Sequence, residues 1–135
     1  MDNSSPLWGI QVAVRDVLLA DTTLANLVTG VYDHVDEGSP YPYVTVGEAI
    51  ETPDNTHSGF GHQSTITLHI WTYTRGHKQG LEILEAVKRV LDHQPLAVTD
   101  RHTVSVRFEF AQTLRDPNPE IRHIPVRFRV TTQEV

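Results

Sequence analysis

Three segments of this chain alternate apolar and polar residues with period two, and that pattern demands a sheet with one face buried. In Ser64 to Tyr73, Ile66, Leu68 and Ile70 take one face, while Thr65, Thr67, His69 and Trp71 take the other. In Val104 to Phe110, the residues Val104, Val106, Phe108 and Phe110 read as inward, against Ser105, Arg107 and Glu109. In Ile124 to Val130, the inward set is Ile124, Val126, Phe128 and Val130, against Pro125, Arg127 and Arg129. Successive side chains of a strand point to opposite faces, so each segment carries an apolar face that needs cover. Trp71 and Tyr73 predict that the second face of the first segment is partly covered too. The last two segments flank Leu114-Arg115-Asp116-Pro117-Asn118-Pro119-Glu120 and so read as a hairpin around a Pro/Asn turn. Pro125 has no amide to give to a ladder, which places it on an edge strand, at a bulge or at a strand start.

Helical periodicity supplies the cover. From Arg75 to Asp92, Leu81, Leu84, Val87 and Leu91 form a stripe, widened by Ile83 and Val90. Lys78, Glu82, Glu85, Lys88 and Arg89 make its polar side, and Pro95 ends the helical region. From Leu7 to Ala20, Ile10, Val14, Val17 and Leu18 fall on one helical face. Trp8, Val12 and Leu19 lie outside that stripe, so this helix has a second apolar face. Either the helix sits deep in its own domain, or it also meets a neighbouring subunit.

Asp21 is placed to cap a second helix, Thr22 to Val28, and Gly30 suits a positive φ just past its end. Val31 to Val35 reads as a short strand. Gly38-Ser39-Pro40-Tyr41-Pro42 reads as a turn, and Tyr43 to Ile50 as a further strand. Thr52 to His62 is a polar stretch without periodicity, and long loops of this kind carry function or move. The order is α-α-β-β-β-α-β-β. It predicts an α+β fold, a mainly antiparallel β-sheet with helices packed on one face. A single domain over residues 1–135, with its core at about 7–131, is expected.

The chemistry of catalysis is missing. The chain has no cysteine, which excludes disulfides, thiolate zinc sites and a cysteine nucleophile. His57 and His62 are five residues apart, with no H-E-x-x-H motif. Asp116-Pro117-Asn118-Pro119-Glu120 starts like a calcium loop, but Ile121 stands where Gly is required and Arg127 where Glu is required. Gly59-Phe60-Gly61 lacks the rest of a phosphate loop, and there is no G-x-S-x-G elbow. Arg115, Asp116, Glu120 and Arg122 make either an ion-pair cluster or a plain solvated turn. No enzyme activity, cofactor or metal is expected. A net charge of −6 argues against wrapping a duplex, which needs clustered Lys and Arg. No apolar stretch approaches the roughly 20 residues of a bilayer span, and residues 1–6 do not look like a secretory signal, so use without crossing a membrane is expected.

A family likeness runs through the chain in order. It begins with Leu18-Leu19-Ala20-Asp21, Leu24-Ala25-Asn26-Leu27-Val28, Gly30-Val31-Tyr32-Asp33, Tyr41-Pro42-Tyr43-Val44 and Gly47-Glu48. It continues in His69-Ile70-Trp71-Thr72, Arg75-Gly76 and Ala86-Val87. It closes in Val106-Arg107-Phe108-Glu109-Phe110, Leu114-Arg115-Asp116-Pro117, Arg122-His123 and Val126-Arg127-Phe128-Arg129. Over about residues 7–131 these resemble the small tail-completion, or tail-terminator, proteins of siphophages, prophages and gene transfer agents.

The resemblance implies a structural virion protein assembled in the bacterial host cytoplasm. It implies a homo-oligomeric ring, a hexamer, on the head-proximal end of the tail. Its partners would be the major tail tube protein and the head–tail connector or stopper. DNA would pass through the lumen without specific binding. Trp8, Val12, Leu19, Trp71 and Tyr73 are the candidates for lateral contact between subunits. Arg115, Asp116 and Arg122 are assigned to holding the hairpin tip, with contact across the interface as a further option. Asp54, Asn55, His57, Phe60 and His62 are the candidates for reaching the tube or a neighbour. The competing roles are a head–tail connector stopper and, from another class, a small ligand- or metal-binding module using His57 and His62.

Overall fold

The computed structural model describes residues 3–135, so Met1 and Asp2 of the stretch 1–6 lie outside it. Helix α1 (Leu7–Ala20) and the single-turn α2 (Thr22–Ala25) lead into strands β1 (Val31–Tyr32), β2 (Tyr43–Pro53) and β3 (Gly61–Tyr73). Helix α3 (Lys78–Leu91) follows, then β4 (Arg101–Ala111), β5 (Leu114–Arg115) and β6 (Ile121–Glu134). The sheet order is β1-β2-β3-β6-β4, with β5 also on β6. Every pairing is antiparallel except β1 with β2. This is the α+β architecture that the alternation and the helical stripes predict, and among the described residues no helix is long and apolar enough to cross a membrane.

The core lies between the helices and one face of the sheet. Helix α1 buries Ile10, Ala13, Val14 and Leu18, and α3 buries Ile83, Leu84, Ala86, Val87 and Leu91. They meet Ile66, Leu68 and Ile70 from β3 and Ile124, Val126, Phe128 and Val130 from β6. Helix α3 comes closest at Gly80, where a Cβ would stand 2.8 Å from Ile124 Cδ1. Leu81 is exposed rather than buried, and the buried stripe turns toward Gly80, Ile83 and Ala86 instead.

Several local expectations are corrected. The second helix ends at Ala25 rather than Val28, although Asp21 does cap it, its Oδ2 accepting the Leu24 amide at 2.9 Å. Gly30 does not take positive φ; the glycine that does is Gly38. The strand after Gly30 is two residues long instead of five. Within the polar stretch 52–62, Thr52, Pro53, Gly61 and His62 extend the β2–β3 hairpin, which leaves 54–60 as loop.

Strand β4 departs from strict alternation. Register shifts fall between Thr103 and Ser105 and between Phe108 and Phe110. Each shift adds a residue, and an added residue flips the face on which later side chains stand. Val104 is therefore 52% exposed, and Phe110 sits opposite Arg127 on the outer face. Pro125 is on neither an edge nor a strand start, because β6 runs between β3 and β4. It faces the break between β4 and β5, and its carbonyl accepts the Gln112 amide there at 3.2 Å. A missing donor costs little beside an interrupted partner strand.

Phe128 is fully buried and pairs with Ile66 on one side and Phe108 on the other. Phe128→Ala is expected to lower stability by about 3–5 kcal/mol in denaturant unfolding. A loss under about 1 kcal/mol would mean that the core is not organised around this ring.

Candidate functional site

The helices cover one face of the sheet, and the other face is open. One half of the open face is aromatic. Trp71 lies flat on His123, with ring centroids 3.9 Å apart at 6°. Trp71 Nε1 donates to Thr45 Oγ1 at 3.4 Å. The four tyrosines of the chain form one run of ring contacts from Tyr32 through Tyr43 and Tyr41 to the exposed Tyr73. Burial, reinforced by the bond to Tyr41, pushes the Tyr43 hydroxyl up to about 12.

The same half holds a Glu–His–His chain. His69 Nε2 lies 3.2 Å from both carboxylate oxygens of Glu48, and His69 Nδ1 lies 2.6 Å from His123 Nε2. If His69 donates from Nε2 to Glu48, its Nδ1 accepts from His123 Nε2. Gly47 makes room for this, since a Cβ there would stand 2.5 Å from the His69 ring. Burial, and then the neighbouring His69, hold His123 below the usual histidine range, against the pull of Asp116 and Glu48. The Glu48 carboxyl is lowered by its own backbone amide first and by His69 next.

The sign of the pH effect follows. As pH falls through the unfolded value of 6.5, the unfolded chain takes the proton on His123 before the folded chain does. Stability is therefore full above that value and is lost as pH falls toward the depressed folded value. Thermal unfolding should show a Tm that falls as the pH drops below 6.5. His123→Phe, which keeps a ring on Trp71, should flatten that fall. An equal fall in the variant would contradict the assignment.

The other half of the open face is charged. Glu109 is shared by Arg129, at 2.6 Å from Nη2, and Arg127, at 3.2 Å from Nε. Arg129 Nη1 also donates to Gln63 Oε1 at 2.7 Å, and the Arg127 guanidinium lies 5.2 Å from the Phe110 ring centre.

The candidates from the sequence do not converge on one place. Trp8, Val12 and Leu19 are exposed on α1, while Trp71 and Tyr73 belong to the open sheet face. Trp8 and Val12 line a groove with Arg15, Asp16, Tyr32 and Asp33, whereas Leu19 borders a separate cleft beside α2. Asp54, Asn55 and His57 are exposed on the loop 54–60. Phe60 is half-buried and tied to the last strand: its amide donates to Glu134 Oε1 at 3.1 Å, and its carbonyl accepts the Glu134 amide. His62 is a correction. It is a buried strand residue 3.7 Å from Glu51 rather than a loop residue beside His57, so little of it is left to meet a tube.

Arg122 holds the hairpin tip from within the subunit. It is 7% exposed, so it is not a solvated residue and has little surface left for contact across an interface. Its guanidinium donates to the carbonyls of Pro119 at 2.7 Å, Ile121 at 3.2 Å, and Arg75. Asp116 and Asn118 accept the amides of Asn118 and Glu120, and Glu120 pairs with Arg75 at 2.7 Å, while Arg115 points to solvent. The turn is thus a hydrogen-bonded unit stapled to the start of α3. Arg122→Ala should cost about 2–3 kcal/mol of stability in denaturant unfolding; a neutral substitution would contradict the staple.

The Glu48–His69–His123 chain was missed by pattern reading. Carrying the alternation of the last strand back from Arg127 and Pro125 to His123 puts it on the face of His69, and that signal could have found it.

Residues 12–133, from α1 to the end of β6, match the family described as tail completion protein gp17. The chain belongs to this family. Tail completion protein gp17 of Bacillus phage SPP1 is 29% identical over 123 residues, covering 90% of this chain and 91% of that protein. A chain from the virion of a native gene transfer agent particle superposes with a TM-score of 0.89 at 26% identity, over 97% of this chain and 99% of its own. The structure of bacteriophage SPP1 gp17 matches with a TM-score of 0.59 at 28% identity, over 92% and 88%. The two structures are about equally distant in sequence, yet the particle chain is much nearer in shape. This member of the tail completion family is therefore a structural protein of the virion tail and not an enzyme.

Proposed function

We propose that this tail completion protein closes into a hexameric ring on the head-proximal end of the tail tube. The ring ends tube growth and offers its other side to the head connector. The single observation that carries this is the near-complete match to a chain of an assembled virion particle. Physical features of the chain support it. A ring needs two unlike surfaces per copy, and here a helical face bearing Trp8, Val12 and Leu19 stands apart from an open sheet face bearing Trp71 and Tyr73. Asp54, Asn55 and His57 are exposed at a hairpin tip, where they suit contact with the tube protein. A net charge of −6 suits a lumen through which DNA slides without being held.

The test is deletion of the gene, followed by electron microscopy of the particles. Tails of uncontrolled length, or finished tails without heads, are expected. Infectious particles with tails of normal length would overturn the role.

A further inference from the structure

A closed ring requires that one surface of each copy fit a different surface of the next. Two surfaces of this chain are complementary in charge and each has an apolar centre.

The first is the charged half of the open sheet face. Arg107 and Arg129 stand opposite each other on β4 and β6, and Arg127 is the next outward residue along β6. Like charges directly opposite on a sheet destabilise it unless something compensates. Glu109 serves Arg127 and Arg129, whereas Arg107 donates to the carbonyl of Val106 and, among the described residues, meets no carboxylate. Ile50, 58% exposed, and Phe110 stand beside these cations. A groove of about 300 Å³ runs between Ile50 and the pair Arg127 and Arg129.

The second surface is the corner where α1 meets β1. Trp8 is 69% exposed and Val12 is 39% exposed. Asp16 and Asp33 line the same groove of about 320 Å³, and the exposed Asp36 and Glu37 follow in the chain, against one cation in the groove, Arg15. Strands β1 and β4 are the opposite edges of the sheet, four strand spacings or about 19 Å apart.

We infer that the α1–β1 corner of one copy seats on the Arg127–Arg129 groove of the next copy. Trp8 and Val12 meet Ile50 and Phe110, while Asp16, Asp33 and Asp36 face Arg107, Arg127 and Arg129. This rests on the ring proposed above and names the two surfaces that make it. A head-to-tail contact is favoured because each surface, laid on its own copy, would set like charges together. Strand addition at the β4 edge is blocked in its middle. There the Phe108 amide donates to Asp92 at 2.7 Å, and the Val106 carbonyl accepts the His93 amide at 2.9 Å. Side-chain docking on the open face remains.

The chain lacks cysteine, so cross-linking can be read cleanly. The full chain carrying Asp33→Cys and Arg129→Cys should, on oxidation, give a ladder of oligomers up to the ring, while either single variant stops at dimers. Separately, Arg107→Glu with Arg127→Glu should cut the ring fraction in native mass spectrometry at least tenfold. Asp33→Arg with Asp36→Arg should do the same, and an equimolar mixture of the two reversed proteins should regain rings, because copies that alternate around a hexamer then meet only opposite charges. The chain carrying all four reversals should regain them. Circular dichroism and Tm close to wild type establish that each variant is folded. If the wild type forms rings but no ladder appears, or the reversals leave rings intact, the contact lies elsewhere and the ring stands. If the wild type forms no ring, either free or on tails, the ring and this contact fall together.

Discussion

The unbroken ladder between β3 and β6 is what the rest of the structure depends on. Its register runs without a shift from Gly61 opposite Gln133 to Tyr73 opposite Ile121. An unbroken ladder keeps side-chain parity constant over its whole length. Every second residue of both strands therefore points to the helices, which lets Ile66, Leu68, Ile70, Ile124, Val126, Phe128 and Val130 form one apolar floor. The same constancy lines up His69, Trp71, His123, Arg127 and Arg129 on the opposite side. The core and the open face are two consequences of one register.

The irregularities lie on the flanking strands, where they shape the open face. A shift in β2 between Val46 and Ala49 brings Gly47 and Glu48 to His69. The shift in β4 after Phe108 turns Phe110 outward over Arg127. The break between β4 and β5 accommodates Pro125 in a central strand.

These differences explain what could be read in the amino-acid order. Ser64 to Tyr73 and Ile124 to Val130 were legible because their ladder has no shift. Val104 and Phe110 were misassigned because a bulge leaves no mark on an apolar–polar pattern. His62 looked like loop because the far end of the hairpin pairs through Thr, Gln and His, which carry no apolar period. The burial of Arg122 was not legible, since an arginine beside a Pro/Asn turn is normally solvated; it depends on the Arg75 carbonyl, which only the fold brings near. The α1 surplus of Trp8, Val12 and Leu19 was legible because a single helix needs only one apolar stripe. The family was legible as an order of short motifs along the chain, each weak alone.

In the proposed ring, the open face is where a protein without catalytic chemistry carries its role. In this account the helix-covered face holds each subunit together, and the open face joins subunits in the tail. A cryo-electron microscopy reconstruction of the head-proximal tail end, from particles containing this protein, tests that division most directly. A closed ring is expected in which the charged half of the open sheet face of every copy is covered by its neighbour, with the β3–β6 ladder intact. Copies that touch only through the polar side of α3, leaving the open sheet face in solvent, would contradict it.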